Sequence, residues 1–285
     1  MSKPIYQPSS LIPFLEKITA KPKKSLSQNF IIDGNILRKM IKEVKSEDVI
    51  LEIGPGPGAL TELLLENGAT VIAVEKDPLF AKTLSRLQKE DRLTILCTDF
   101  LDLDFSLLPE KEIKVIANLP YHLTTPILVK LLSAKTHFSS FTLMVQKEMA
   151  ERLTALPGTK EYSSFTLFLN YHADVTYLFT VQPTCFFPIP SVQSAVIKVT
   201  LKPDRDIPSP DNFFLFVRSA FQKRRKMLRV SCKHLYPMEN IENGLKTLGI
   251  NTQARPEELT LDSFIQLYLF LQHKRGDDNY YSKNK

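Results

Sequence analysis

The feature that most constrains this chain is the glycine-proline run Gly54-Pro55-Gly56-Pro57-Gly58, set directly behind the apolar run Val49-Ile50-Leu51-Glu52-Ile53 and ahead of a helical pattern from Ala59. A strand that empties through glycines into a helix is the opening unit of a β-α-β sheet, where the absence of Cβ atoms lets backbone approach a ligand closely. Further β-branched runs at 70–74, 93–96 and 113–117 alternate with helical patterns at 59–67, 78–89 and 124–133. Such alternation predicts an α/β fold with a mostly parallel sheet covered on both faces. A fifth strand at 140–145, a helix over 147–155 and a helix from a Ser163 cap to His172 continue the series. Strands at 175–181 and 194–201 then close it around a proline-rich loop.

At Lys202-Pro203-Asp204-Arg205-Asp206-Ile207-Pro208-Ser209-Pro210 the composition turns to proline and charge, which reads as a domain boundary. Beyond it the patterns at 213–221, 227–234, 241–248 and 261–271 are helical, the last after a Thr260 N-cap. The expected organisation is a basic extension over 1–24, a sheet domain over 25–203, a smaller all-helical domain over 210–273 and a frayed tail over 274–285. No apolar run approaches the roughly 18 residues of a membrane span, and the opening residues lack a signal-peptide layout. Cys97, Cys185 and Cys232 lie far apart with no C-x-x-C pair, which argues against a disulfide framework and a zinc site. These features predict a metal-free cytoplasmic protein, expected to be a monomer.

Charge is unevenly placed. Residues 1–40 carry seven Lys/Arg against two Asp/Glu, residues 41–200 fifteen against nineteen, and residues 201–285 fifteen against ten. Basic ends around an acidic middle suit a polyanion that docks at the edges while its reacting atom enters the centre; solvated helix faces are the alternative.

Glu75 ends the second strand, where a carboxylate can accept both hydroxyls of a ribose, and Asp99-Phe100 follows the third, where an acid can accept an adenine amino group and a ring can cover the base. Glycine turn, ribose acid and adenine acid at three successive strand ends resemble the class I methyltransferases, Rossmann-like enzymes that bind S-adenosyl-L-methionine. A hydride-transfer enzyme would share the first two elements, so the fourth strand decides. It ends in Asn118-Leu119-Pro120-Tyr121. The lone pair of an adenine N6 amine is delocalised into the ring, and the site must localise it. The Asn118 side-chain oxygen and the Leu119 carbonyl can accept the two N6 hydrogens, Pro120 fixes the turn without an N–H to compete, and Tyr121 can stack on the base. No general base is needed before attack, and holding the reactants in line is the main contribution.

Together these motifs resemble one family, the bacterial small-subunit ribosomal RNA adenine dimethyltransferases known as the kasugamycin-sensitivity enzymes, over about residues 24–264. The segment Lys24-Ser25-Leu26-Ser27-Gln28-Asn29-Phe30 is similar to the family's cofactor-closing segment, with Ser27 where the family usually has glycine. The resemblance implies cofactor contacts from Gln28, Asn29, Ile31, Gly54, Glu75, Asp99 and Asn118, to which the glycine turn and the ring after Asp99 add Gly56 and Phe100. Pro183 to Ser194 resembles the family's target loop and implies Phe186 as a second aromatic flanking the base opposite Tyr121; Phe186 and Phe187 as core plugs is the alternative. The cluster Lys223, Arg224, Arg225, Lys226 and Arg229 resembles the family's basic helix junction and implies phosphate contacts. Arg255-Pro256-Glu257-Glu258-Leu259 also matches a family motif and is assigned to helix packing. The implied activity is N6,N6-dimethylation of two adjacent adenosines in the 3′-terminal hairpin loop of small-subunit RNA within the 30S particle. The alternatives are a large-subunit 23S methyltransferase of the erythromycin-resistance type and a non-catalytic RNA-binding assembly factor.

Overall fold

The computed structural model describes residues 3–20, 28–88, 91–109, 112–203, 205–223 and 226–282, with side chains described up to 274. Helix α1 (Pro8–Lys17), strand β1 (Phe30–Ile31) and helix α2 (Gly34–Met40) lead into the alternating series. That series is β2 (Val49–Ile53), α3 (Ala59–Glu66), β3 (Thr70–Val74), α4 (Pro78–Leu84), β4 (Leu93–Leu96), β5 (Ile113–Asn118), α5 (Thr124–Ser133) and β6 (Phe138–Gln146). Next come α6 (Lys147–Leu153), α7 (Ser164–His172), β7 (Ala173–Val181), β8 (Phe186–Phe187) and β9 (Ser194–Leu201). The main sheet has the order β4-β3-β2-β5-β6-β9-β7, and β8 pairs with β1 in a separate ribbon. Strands β2 to β6 run parallel, and β9 returns antiparallel to β6. Each residue of β2 is buried, as expected of a central parallel strand covered on both faces.

From β2 the chain steps outward through β3 to β4 and then crosses back to β5 on the other side of β2. That reversal opens a crevice beyond the carboxyl ends of β2 and β5, the place where such sheets bind ligands. The glycine turn after β2 and the Asn118 turn after β5 both lie there.

The chain divides into two compact units, Met1–Ala150 with Val175–Leu201, and Glu151–Asp174 with Lys202–Lys285. This corrects the expected boundary, because 151–174 belong with the helical unit although they precede the proline-rich stretch. The reason is packing: Tyr162, Leu167 and Tyr171 share one buried core with Phe213, Phe216, Leu245, Phe264 and Tyr268. The Tyr162 hydroxyl donates to the Leu259 carbonyl at 3.1 Å, and α7 starts on a Ser163–Thr166 capping box.

The helical unit continues with α8 (Pro210–Gln222), α9 (Leu228–Ser231), α10 (Met238–Thr247) and α11 (Leu261–Ser282). Thr260 caps α11 by accepting the Ser263 N–H at 3.1 Å. Two expectations are corrected here. The helix at 227–234 shrinks to one turn, and the supposed frayed tail is helical as far as Ser282, with no proline to stop α11. Nor are residues 1–24 a mere extension: α1 buries Leu11 and Leu15 against Phe30 and Phe80. Residues 21–24 of that stretch lie outside the described residues.

Candidate active site

The crevice holds a cavity of about 290 Å³. Gln28, Asn29, Ile31, Gly54, Gly56, Glu75, Asp99, Phe100 and Asn118 all line it, as do Leu119, Pro120 and Tyr121. Five separate stretches of sequence thus meet at one end of one sheet. Lys24 to Ser27, the start of the cofactor-closing motif, lies outside the described residues.

Backbone geometry prepares the floor. Gly54, Gly56 and Gly58 have φ of +66°, +54° and +89°, a region that disfavours any side chain. A Cβ on Gly56 would also stand 3.1 Å from the Phe30 ring. The turn that results aims the Gly56 N–H at Glu75 Oε2, 2.9 Å away, while the Asp77 N–H donates to Oε1 at 2.8 Å. Glu75 is buried, and burial pushes its pKa up while the backbone donors of Asp77 and Gly56 pull it back. Each carboxylate oxygen accepts more than one hydrogen bond, so Glu75 can hold the turn and still receive hydroxyls from the cavity side. Glu52 lies deeper on the same wall. It is 2% exposed, burial raises its pKa to about 8, and the Thr61 hydroxyl donates to it at 2.7 Å.

Asp99 is differently set. Lys76 Nζ donates to its Oδ2 at 2.6 Å, which holds the carboxyl below the usual range, and Oδ1 accepts the Leu101 N–H at 2.9 Å. Lys130 on α5 donates to the carbonyls of Leu101 and Leu103 at 2.6 and 2.7 Å, and its ammonium stands 5.7 Å from the Phe100 ring centroid. The turn bearing Asp99 and Phe100 is therefore pinned to the helix that follows the Asn118 turn.

Asn118 ends β5, in register with Met144 of β6. Its Nδ2 donates to the Asn29 carbonyl at 3.1 Å. With the amide nitrogen committed there, Oδ1 is the atom left to accept a donor from the cavity. The Leu119 N–H is fixed to the Met144 carbonyl at 3.1 Å. Tyr121 opens a 3₁₀ turn, Tyr121–Leu123, and its hydroxyl shares a 2.6 Å hydrogen bond with Ser194 Oγ.

Phe186, expected as a second aromatic beside the target base, pairs with Ile31 in the β1–β8 ribbon, is 1% exposed and packs with Ile31, Val181 and Val196; it does not line this cavity. Successive strand residues face opposite ways, and it is the half-buried Phe187 that turns to the other side, against the cluster of Phe30 and Phe80. In the basic cluster, Lys223 and Lys226 are exposed, while Arg224 and Arg225 lie outside the described residues. Arg229 is set apart from them, because its guanidinium pairs with Glu242 at 3.5 Å.

Sequence reasoning did not anticipate Glu52, Lys76, Lys130 or Ser194. Lys76 adjoins Glu75 and Ser194 closes the proline-rich motif, so both had a signal; Lys130 is one lysine on an amphipathic helix and had none.

The family model for ribosomal RNA adenine dimethylases matches residues 19–273. The chain belongs to the ribosomal RNA adenine dimethylase family. Among curated relatives of this dimethylase, Ribosomal RNA small subunit methyltransferase A of Protochlamydia amoebophila is 49% identical over 274 residues, spanning 93% of this chain and 96% of the relative. The protein of the same name from Chlamydia caviae is 46% identical, over 93% and 97%. Of solved structures, a dimethyladenosine transferase from Plasmodium falciparum superposes with a TM-score of 0.75 at 27% identity, covering 86% of this chain and 98% of that one. The 23S rRNA methyltransferase ErmE does so with 0.70 at 23% identity, over 86% and 100%, a likeness of fold. The sheet of the dimethylase is that of a class I methyltransferase.

Proposed function

We propose that this dimethylase transfers methyl groups from S-adenosyl-L-methionine to N6 of two adjacent adenosines in the 3′-terminal hairpin loop of small-subunit ribosomal RNA, with the 30S particle as substrate. The observation that carries the site is the Asn118 amide, tied through Nδ2 to Asn29 with Oδ1 left for the cavity. The cavity's lining fits the cofactor: Glu75 for the ribose hydroxyls, Asp99 with Phe100 for the adenine, and Gly54 and Gly56 for close backbone approach, with Gln28, Asn29 and Ile31 also lining it. Bound there, the cofactor supplies a sulfonium methyl open to in-line displacement.

The chain's own residues do the rest. Asn118 Oδ1 and the Leu119 carbonyl accept the N6 hydrogens and turn the nitrogen lone pair away from the ring, and Tyr121 stacks on the base. Orientation rather than proton abstraction lowers the barrier. Exposed Lys223 and Lys226, with Arg224 and Arg225, supply phosphate contacts and hence salt-dependent affinity. No helix among the described residues is long and apolar enough to cross a membrane, and the reading places a monomeric enzyme in the cytoplasm, where its RNA is assembled.

Small-subunit RNA is preferred over 23S RNA because relatives at 43–49% identity carry the small-subunit name, whereas the likeness to ErmE is one of fold. Incubating the protein with methyl-labelled cofactor and either unmethylated 30S particles or 23S RNA tests this. Label is expected in 16S RNA of the 30S particle; label confined to 23S RNA overturns the substrate.

A further inference from the structure

Tyr121 is the only aromatic side chain of the Asn118–Tyr121 turn, and an aromatic stacks productively only if its ring plane is fixed. The near end is fixed by backbone, since only Leu119 and Pro120 separate Tyr121 from the end of β5 and the Pro120 carbonyl accepts the Leu123 N–H at 2.9 Å. The far end is held by one atom, Ser194 Oγ, 2.6 Å from the phenol oxygen. Ser194 is fully buried and is the first residue of β9, in register with Gln146 at the end of β6.

Its own position is braced. The preceding residue, Gln193, accepts the Lys147 backbone N–H at 3.0 Å through its carbonyl and the Lys147 ammonium at 3.1 Å through Oε1. Gln193 Nε2 then donates to Gln182 Oε1 at 2.9 Å, closing the neck of the proline-rich loop. A buried hydroxyl placed this firmly, bonded to the outer end of a ring beside the reacting turn, suits an orienting device better than a mere partner for a phenol.

We propose that Ser194 is a positioning residue for methyl transfer, fixing the Tyr121 ring so that the target base is held in line at the Asn118–Pro120 turn, with the Gln182–Gln193–Lys147 bridge setting Ser194 in place. This rests on reading that turn as the base pocket. A ring free to tilt leaves the base stacked in several poses, and misplacement by about 1 Å costs up to roughly 100-fold in rate. Ser194 does not line the cofactor cavity, so cofactor affinity is a control independent of turnover.

The test compares Ser194→Ala, Ser194→Thr, Tyr121→Phe, the Ser194→Ala/Tyr121→Phe double variant and Tyr121→Ala. For each, kcat and KM on 30S particles and the calorimetric affinity for S-adenosylhomocysteine are measured. Ser194→Ala and Tyr121→Phe are each expected to lower kcat roughly tenfold, with S-adenosylhomocysteine affinity unchanged in Ser194→Ala. The double variant should be no worse than either single, because both remove the same bond, and Ser194→Thr should restore the rate. Tyr121→Phe keeps the ring and deletes only the bond, so the test survives if Ser194→Ala folds poorly. Wild-type kcat in both Ser194→Ala and Tyr121→Phe, or single losses that multiply in the double variant, overturns the proposal. If Tyr121→Ala also turns over normally, the base-pocket reading falls with it; if Tyr121→Ala abolishes turnover while the two milder variants do not matter, only the positioning role falls.

Discussion

Two walls stand near the Asn118–Tyr121 turn, and they are built on different principles. The wall formed by the ends of β2, β3, β4 and β5 carries its polar groups where local rules put them, at successive strand ends and on a glycine turn whose Gly56 N–H, together with the Asp77 N–H, organises Glu75. The proline-rich wall, from Pro183 to Ser194, takes its arrangement from distant partners: Phe186 from Ile31, Gln193 from Lys147, Ser194 from Tyr121. The first wall is set by chain direction and the second by tertiary packing, so substitutions on the first should act on cofactor and chemistry, and on the second mainly on stability and alignment.

The sharpest break between them is Phe186→Ala. Deleting a ring that is 1% exposed is expected to cost about 3–5 kcal/mol of stability, while cofactor affinity in the folded fraction is kept; chemical denaturation and calorimetry on the same sample check both halves. A stable variant with a raised KM for RNA would instead place that ring at the base. Next in size, Asn118→Ala should lower turnover on the order of 10²–10³-fold, with S-adenosylhomocysteine binding weakened far less, readable by pairing single-turnover rates with calorimetry. Glu75→Gln follows. It puts an amide where two backbone N–H groups need acceptors, and cofactor affinity should fall roughly tenfold to a hundredfold.

A further effect is one of pH. Glu52 ionises at about 8 in the folded protein against 4.5 as the ordinary value, so the folded state holds its proton more tightly than the unfolded chain. That contribution to stability is complete below pH 4.5 and is lost as pH rises toward about 8. Glu52→Gln should flatten this slope, so its melting temperature gains on wild type between pH 5 and 8.5. Parallel curves would mean that Glu52 is ionised throughout.

The same contrast explains what the sequence disclosed. Strands β2 to β6 were legible because each is a β-branched run between helical patterns, and Glu75, Asp99 and Asn118 because strand ends are predictable places. Which of Phe186 and Phe187 is the more buried was not legible, because alternation along β8 settles which ring faces inward only once β8 is paired with β1. Helix α1 was hidden by Pro8 at its start and Pro13 within it, both of which read locally as breaks. Composition marks a boundary only at the proline-rich stretch, whereas Tyr162 and Leu167 share the buried core of the helical unit. Arg229 looked like its basic neighbours until Glu242, thirteen residues on, was seen beside it.

The most direct test of the account is mass spectrometry of RNA nucleosides after unmethylated 30S particles are incubated with labelled cofactor and either wild-type protein or Asn118→Ala. The account predicts labelled N6,N6-dimethyladenosine, preceded by the monomethyl form, from the wild type and almost none from the variant. Label on any other nucleoside, or equal dimethyladenosine from Asn118→Ala, would contradict the claim that methyl transfer to adenine N6 takes place at the Asn118–Tyr121 turn.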